Sequence, residues 1–222
     1  MSNKVKNKKI LLVDDHPIIR QGIKQVVEST GELKVINEAS SADGAISCIN
    51  KENPDIAIID IQLEGNANGI DLVKSIKERF PDVLTLILSM HEESIYAERA
   101  IRSGARGYIM KEVAPKKIID AIRTVLSGEI YISEIQSKKI IDKLVHGSLD
   151  TEGISIDNFS NREIEIFQLI GNGFSTKEIA KKLNLSKYTV ESHKRNIRTK
   201  MNLKDSSDVT KHAIQWIIML NK

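Results

Sequence analysis

Residues 56–72 read IAIIDIQLEGNANGIDL. Four apolar residues, three of them β-branched, run into a bare carboxylate, Asp60, and a polar loop punctuated by glycine follows. A short apolar run bounded by turn residues is the pattern of a buried strand. A carboxylate at the end of such a strand must be satisfied by a partner or put to use. Which of the two holds depends on what the neighbouring segments bring beside it.

Outward from this stretch, short apolar runs alternate with amphipathic segments. Strands are expected at Ile10–Val13, Val35–Ala39, Ile56–Ile59, Val83–Leu88 and Gly107–Met110. Helices are expected near Ile18–Glu28, Ala42–Lys51, Ile70–Arg79, Ser94–Ser103 and Pro115–Leu126. Several strands are continuously apolar, as when helices cover both faces of a parallel sheet. Five βα units of this length predict an α/β fold, a doubly wound five-stranded parallel sheet. Asp14 and Asp15 follow the first strand, Asp60 the third, Ser89 the fourth and Lys111 the fifth. All five positions therefore share the carboxyl-terminal edge, where ligands bind in such sheets. Taken singly each has a plain reading: Asp15 before His16–Pro17 caps a helix, Ser89 ends a strand, Lys111 lies on the surface. Together, three crowded carboxylates repel unless a cation neutralises them, and a hard divalent ion such as Mg²⁺ is the natural candidate.

At these residues a resemblance is evident. Residues 8–130 resemble the receiver domain of two-component response regulators, through LLVDDHP, IIDIQL, LILSMH and GYIMKEVAP. The resemblance implies a flavodoxin-like fold in which Asp60 accepts a phosphoryl group from a sensor histidine kinase. It also implies that Asp15, Asp60 and the Gln62 carbonyl hold Mg²⁺, with Asp14 acting through water. Lys111 would pair with the phosphoryl oxygens, Ser89 would hydrogen-bond them, and Tyr108 would be an aromatic switch. The chemistry suits the residues: a carboxylate attacks phosphorus to give an acyl phosphate, while cations offset the transferring charge. One departure stands out. Receivers commonly carry Met-Pro or Leu-Pro shortly after the acceptor, whereas here Leu63 is followed by Glu64 and a longer GNANG loop. That implies a more flexible loop, with added negative charge near the metal.

Charge divides the 222-residue chain unevenly. Residues 1–130 carry 18 Lys and Arg against 19 Asp and Glu, residues 131–156 carry 3 against 4, and residues 157–222 carry 12 against 7. A basic last third points to a polyanion partner, although a solvated basic domain fits charge alone equally well. The single cysteine, Cys48, excludes a disulfide framework within the chain and suits a reducing cytoplasm. The basic start is followed by too short an apolar run for a leader or a membrane span, so no membrane partner is expected. The reading is therefore a domain over residues 1–130, a linker with a short helix over 131–156, and a second domain over 157–222. In the linker, Ser133-x-x-Gln136 is a capping box, and HGSLDTEG reads as a joint.

The last domain is signposted by caps. Ser160-x-x-Glu163 and Ser175-x-x-Glu178 open two helices, Ser186 opens a third to about Met201, and a fourth runs from about Ser206 to Leu220. Short helix, tight turn and longer helix is the helix-turn-helix layout. On the third helix Val190, His193, Ile197 and Met201 share the core side, while Tyr188, Ser192, Arg195, Asn196 and Thr199 lie opposite, with Glu191 flanking. Lys177, Lys181, Lys187, Lys194, Arg198 and Lys204 are candidate phosphate contacts, and Thr189 joins the DNA-facing set. Solvated polar residues on a small helical bundle would show the same periodicity. The stretch from FSNREIEIFQLIGNGF to TVESHKRNIRTKMNL is, however, similar to the LuxR-type DNA-binding domain of NarL/FixJ-class regulators. The resemblance implies that Glu191, Ser192 and Arg195 face the groove. Glu191 replaces the Lys of many relatives and is expected to tune sequence choice, since it can accept from cytosine N4.

On the last helix Val209, Ala213, Trp216, Ile217 and Leu220 form one stripe, leaving Ile214 and Ile218 aside as candidate dimer contacts. Docking of that surface on the chain's own first domain is the competing reading. The combined expectation is a phosphorylation-controlled transcription regulator. It would dimerise when phosphorylated, bind duplex DNA with paired half-sites, and have RNA polymerase as a further candidate partner. A phosphohydrolase of the haloacid dehalogenase type would need a second Asp two residues after the nucleophile. Gln62 stands there and cannot transfer protons. A DNA-binding protein whose first domain serves only to dimerise is the third alternative.

Overall fold

The computed structural model describes residues 7–64, 67–146, 156 and 158–220, and they fall into two compact units divided between Val145 and His146. Five strands of the first unit, β1 (Lys8–Val13), β2 (Leu33–Ala39), β3 (Ile56–Ile59), β4 (Leu84–Ser89) and β5 (Gly107–Met110), form one sheet in the order β2-β1-β3-β4-β5. Every pairing is parallel. Between the strands run α1 (Pro17–Glu28), α2 (Ala42–Glu52), α3 (Gly69–Arg79) and α4 (Glu93–Ser103), and α5 (Ala114–Leu126) follows β5. The doubly wound reading is thus the observed fold.

The continuous apolar strands are explained by cover on both faces. Ile10, Leu12, Ile56, Ile58, Leu86 and Leu88 pack with Ile23 and Val27 of α1 and with Ile118, Ile122 and Val125 of α5. The alternate residues Leu11, Ala57, Ile59 and Ile87 are equally buried, on the opposite side of the strands. Because β1 lies between β2 and β3, the chain changes winding direction beside it. The crevice at the carboxyl ends of β1 and β3 is therefore the switch point at which such sheets bind ligands.

After α5 the chain returns to the sheet edge. Tyr108 N donates to Tyr131 O (2.8 Å) and Tyr131 N to Arg106 O (3.0 Å), so Tyr131 pairs beside β5. The next helix, α6 (Glu134–His146), begins where Ser133 N donates to a Glu93 carboxylate oxygen of α4 at 2.7 Å. Ser133 Oγ accepts from Gln136 N (3.3 Å), the first half of the expected box. Most of the expected HGSLDTEG joint lies outside the described residues.

The second unit holds α7 (Asn161–Gly171), α8 (Thr176–Lys182), α9 (Lys187–Lys200) and α10 (Ser206–Leu220). Both expected capping boxes are present and reciprocal, at Ser160/Glu163 and Ser175/Glu178. Asn184 and Asn202 take positive φ (51° and 55°) just after α8 and α9, a conformation that asparagine tolerates and that ends a helix abruptly. Phe167 packs edge-on against Phe159 (5.3 Å) and tilted against Trp216 (5.5 Å), around buried Ile164, Ile179, Val190, Ile197 and Val209. Helices α7 and α10 touch closely at Gly171, where a Cβ would lie 2.5 Å from the Ala213 carbonyl oxygen.

Candidate functional site

The sheet brings together the residues that the strand ends carry. Asp14 closes β1, buried, with its backbone N–H donating to Ala39 O (3.0 Å) and its Oδ1 accepting from His16 N (2.8 Å). Asp60 closes β3, also buried, its N–H donating to Val13 O at 2.8 Å. Lys111 reaches across from the end of β5, its Nζ standing 2.6 Å from both Asp60 Oδ2 and Asp14 Oδ2. Only the contact to Asp60 has hydrogen-bond geometry.

The electrostatics follow from burial. Taking Asp60 out of water raises its pKa to about 6; Lys111 opposes that rise and the Asp14 carboxylate adds to it. Burial works against the Lys111 ammonium, but Asp60 and Asp14 outweigh it and its pKa is raised. One ammonium thus faces two buried carboxylates, with Asp15 beside them. Asp14 Oδ2 and Asp15 Oδ1 are buried without a hydrogen bond, although Lys111 and His16 approach them. One ligand atom each from Asp14, Asp15, His16 and Asp60 lies within 4.8 Å of the others. Crowded hard oxygens short of hydrogen bonds fit a divalent cation such as Mg²⁺. His16, Nδ1 at 2.6 Å from Asp15 Oδ1, is a member of this group that strand-end reasoning missed; its place directly after the acidic pair was the available signal.

The two described ends of the loop after Asp60 approach each other closely at the backbone. Gly69 N donates to Ile61 O (2.7 Å), and a Cβ on Gly69 would sit 1.9 Å from the Asp60 carbonyl oxygen. Gln62 pairs across this loop with Asn68. Glu64 departs from the expectation of extra charge at the metal. Its carboxylate accepts from Ser40 Oγ (2.6 Å) and its N–H donates to Ser40 O (3.0 Å), so it belongs to the β2–α2 side and not to the acidic group. The GN pair at residues 65–66 lies outside the described residues.

Ser89, fully buried at the end of β4, accepts on Oγ from His91 N at 3.1 Å. Tyr108, 1% exposed, donates its hydroxyl to His91 O at 2.7 Å. Burial keeps the Tyr108 hydroxyl protonated, its pKa displaced far upward, and pushes the His91 ring down to about 4, leaving it neutral. The His91 ring lies tilted against Tyr96 at 4.7 Å, and its backbone links Ser89 to Tyr108, a role that spacing alone did not reveal.

In the second unit α9 presents the face expected of it. Val190 and Ile197 are fully buried and His193 and Met201 half-buried, whereas Tyr188 (79% exposed), Arg195, Asn196 and Thr199 face out and Ser192 is half-buried. Lys177, Lys181, Lys187 and Lys204 are exposed and Arg198 is half-buried. Lys194 differs from the free phosphate contact expected of it: its Nζ donates to Glu191 Oε1 (3.0 Å) and to Thr176 Oγ1 (3.3 Å). On α10, Val209, Ala213 and Trp216 are buried and Ile217 and Leu220 half-buried, while Ile214 (42%) and Ile218 (54%) are exposed, together with Met219.

Comparison with known proteins accords with this geometry. Residues 10–123 match the family described as response regulator receiver domain, and residues 157–213 match bacterial regulatory proteins, luxR family. The chain is 33% identical over 210 residues to the oxygen regulatory protein NreC of Staphylococcus carnosus, covering 93% of this chain and 97% of that one. To NreC of Staphylococcus epidermidis it is 34% identical over 211 residues, with the same coverage of each chain. Among solved structures it resembles RcsB of Salmonella enterica serovar Typhimurium bound to promoter P1flhDC with a phosphomimetic, at TM-score 0.60 and 25% identity over 93% of this chain and 98% of that one. The response regulator ChrA of a heme-sensing two-component system aligns at TM-score 0.52 and 26% identity over 95% and 98% of the two chains. Two matched domains in this order, and relatives aligned over nearly their whole length, place the chain among the DNA-binding response regulators of the NarL/FixJ class.

Proposed function

We propose that this chain is a transcription regulator switched by phosphorylation of Asp60. The observation that carries the proposal is the Lys111 ammonium between two buried carboxylates, beside carboxylate oxygens that lack hydrogen bonds. The donor is the phosphohistidine of a sensor kinase. An Asp60 oxygen attacks phosphorus, the phosphorus–nitrogen bond breaks, the Asp60 oxygen–phosphorus bond forms, and the histidine leaves with a proton from solvent. Asp15, Asp60 and the Gln62 carbonyl are the residues to hold Mg²⁺, with Asp14 acting through water. When bound, the ion supplies charge stabilisation at the phosphoryl oxygens.

Lys111, released from Asp60 once that carboxylate has become an acyl phosphate, pairs with a phosphoryl oxygen. Ser89 Oγ already accepts from His91 N, so its own proton is available to a phosphoryl oxygen. Because His91 also receives the Tyr108 hydroxyl, movement of Ser89 is felt by that ring. Local charge thereby biases a two-state packing element. The output is binding of duplex DNA with paired half-sites by a cytoplasmic homodimer formed through Ile214 and Ile218. Lys177, Lys187 and Lys204 serve as phosphate contacts, and Tyr188, Thr189, Glu191, Ser192, Arg195, Asn196 and Thr199 form the groove-facing surface. RNA polymerase is the partner through which bound protein would act.

The test is incubation with Mg²⁺ and a small acyl-phosphate donor, followed by intact mass. One phosphoryl adduct on the wild type and none on Asp60→Asn is the expected result. No adduct on the wild type, from a donor active on another receiver, would leave a DNA-binding protein without this switch.

A further inference from the structure

The exposed face of α9 carries a carboxylate, Glu191, where a polyanion is to be met. Left free, it would swing among rotamers and repel phosphates. It is not free. Thr176 Oγ1, from the first residue of α8, donates to Glu191 Oε1 at 2.7 Å, and Lys194 Nζ donates to the same oxygen at 3.0 Å. Lys194 also donates to Thr176 Oγ1 at 3.3 Å, which closes a three-membered network across the turn between the two helices. The Thr176 bond, aided by Lys194 and Arg195, holds the Glu191 carboxyl below its ordinary pKa, so the group stays ionised. Its side chain remains 49% exposed, on the flank of the face formed by Ser192 and Arg195.

An ionised carboxylate is an acceptor only. In the major groove guanine offers acceptors, and thymine an acceptor and a methyl group, so neither can satisfy it. Cytosine offers the N4 amino donor, while adenine places its N7 acceptor beside its N6 amino group, which repels a second carboxylate oxygen. A carboxylate whose orientation is already fixed forfeits little rotamer freedom on contact. We infer that Glu191, clamped by Thr176 and Lys194, is a specificity determinant that selects cytosine at one position of each half-site. The inference rests on the reading of α9 as the groove-entering helix. Thr176 and Lys194 act through Glu191 as positioning residues, and Lys194 is thereby withdrawn from the phosphate contacts.

The full-length protein, treated with the acyl-phosphate donor, is used to select from a randomised duplex library, and selected sites are titrated singly. The wild type is expected to enrich cytosine at one position per half-site and to lose about tenfold in affinity when that base is changed. Glu191→Ala is expected to flatten that position alone, leaving the others ranked as before. Glu191→Gln moves the preference to adenine, since an amide can both accept from N6 and donate to N7. Thr176→Val weakens the cytosine preference with the rest of the site unchanged. Lys194→Ala does the same while leaving the slope of affinity against salt unaltered, whereas loss of a phosphate-bound lysine lowers that slope by about 1.

An unchanged ranking in Glu191→Ala, or enrichment of guanine or thymine there by the wild type, would overturn the assignment while sequence-selective binding stood. A fall in salt slope for Lys194→Ala would return that residue to the phosphates and break the clamp. Failure of the wild type to enrich any duplex would instead overturn the groove-entry reading, and the assignment with it.

Discussion

At the scale of single residues, Asp60 is held at a thermodynamic disadvantage. Its folded-state pKa, about 6, lies above the ordinary 3.8 because burial and the neighbouring Asp14 disfavour the charged form more than Lys111 favours it. A carboxyl raised in this way binds its proton more tightly when folded. Its contribution to stability is fully present below about pH 3.8 and is lost as pH rises through about 6. At pH 7 without divalent cation, Asp60→Asn should therefore stabilise the protein by about 1–3 kcal/mol. Lys111 keeps its contact with Asp14 in that variant, so no buried charge is orphaned. Saturating Mg²⁺ should shrink or reverse the difference, because a bound cation favours the ionised carboxylate. Thermal melts at pH 5 and pH 7, with Mg²⁺ and with chelator, check this. A wild type as stable as Asp60→Asn at pH 7 in chelator would contradict it.

At the scale of elements, the site depends on how tightly β3 and α3 are tied. Gly69 opens α3 with no room for a side chain against the Asp60 carbonyl, while Asn68 caps the helix by accepting from Ile70 N at 2.9 Å. Gly69→Ala forces the Asp60 peptide or the start of α3 to shift. The expected cost is roughly 2–4 kcal/mol of stability, together with a drop in phosphoryl adduct formation. Gly22→Ala, on α1 with nothing within 4 Å, is the matched control and should leave both unchanged or slightly improve stability. Chemical denaturation and intact mass on the two variants decide the matter. The linker is bound to this machinery as well. Tyr131 pairs with the Tyr108 peptide and Ser133 with Glu93, so the start of α6 is held by the strand and helix that flank Ser89 and His91.

At the scale of the whole molecule, two compact units divide the labour, and among the described residues no helix is long and apolar enough to cross a membrane. The first unit has the acidic pocket; the second has the basic helices α8 and α9 and an apolar surface on α10. Ile214, Ile218 and Met219 remain uncovered although the core of their own unit is complete. On the proposed reading, a symmetric pairing of this surface would set two copies of α9 on one duplex. Phosphorylated wild type should sediment as a dimer and phosphorylated Ile214→Lys as a monomer with unaltered unfolding midpoint. That variant should still bind a single half-site weakly. A phosphorylated Ile214→Lys dimer would move the interface elsewhere.

The fold was legible because its signals are local and repeated. Apolar runs such as Ile56–Ile59 and Leu86–Leu88 fix strands, Ser160, Ser175 and Ser186 fix helix starts, and the parallel rule then places every strand end at one edge. That was enough to gather Asp14, Asp15, Asp60, Ser89 and Lys111, since a residue's position just after a strand decides its place at the sheet edge and its identity only the chemistry it brings there. The sequence by itself therefore determined the architecture, the acidic edge and the polar face of α9. What only the tertiary structure decided were the partners of side chains, whether other side chains or backbone groups. Glu64 turns to Ser40 instead of the pocket, His16 joins the acidic group, His91 links Ser89 to Tyr108, and Lys194 turns to Glu191 and Thr176. Such choices depend on several rotatable bonds and on partners up to dozens of residues away in sequence. Periodicity fixes the direction of a Cβ, but the distance and the competition among donors that settle where a charge rests exist only once the chain is folded.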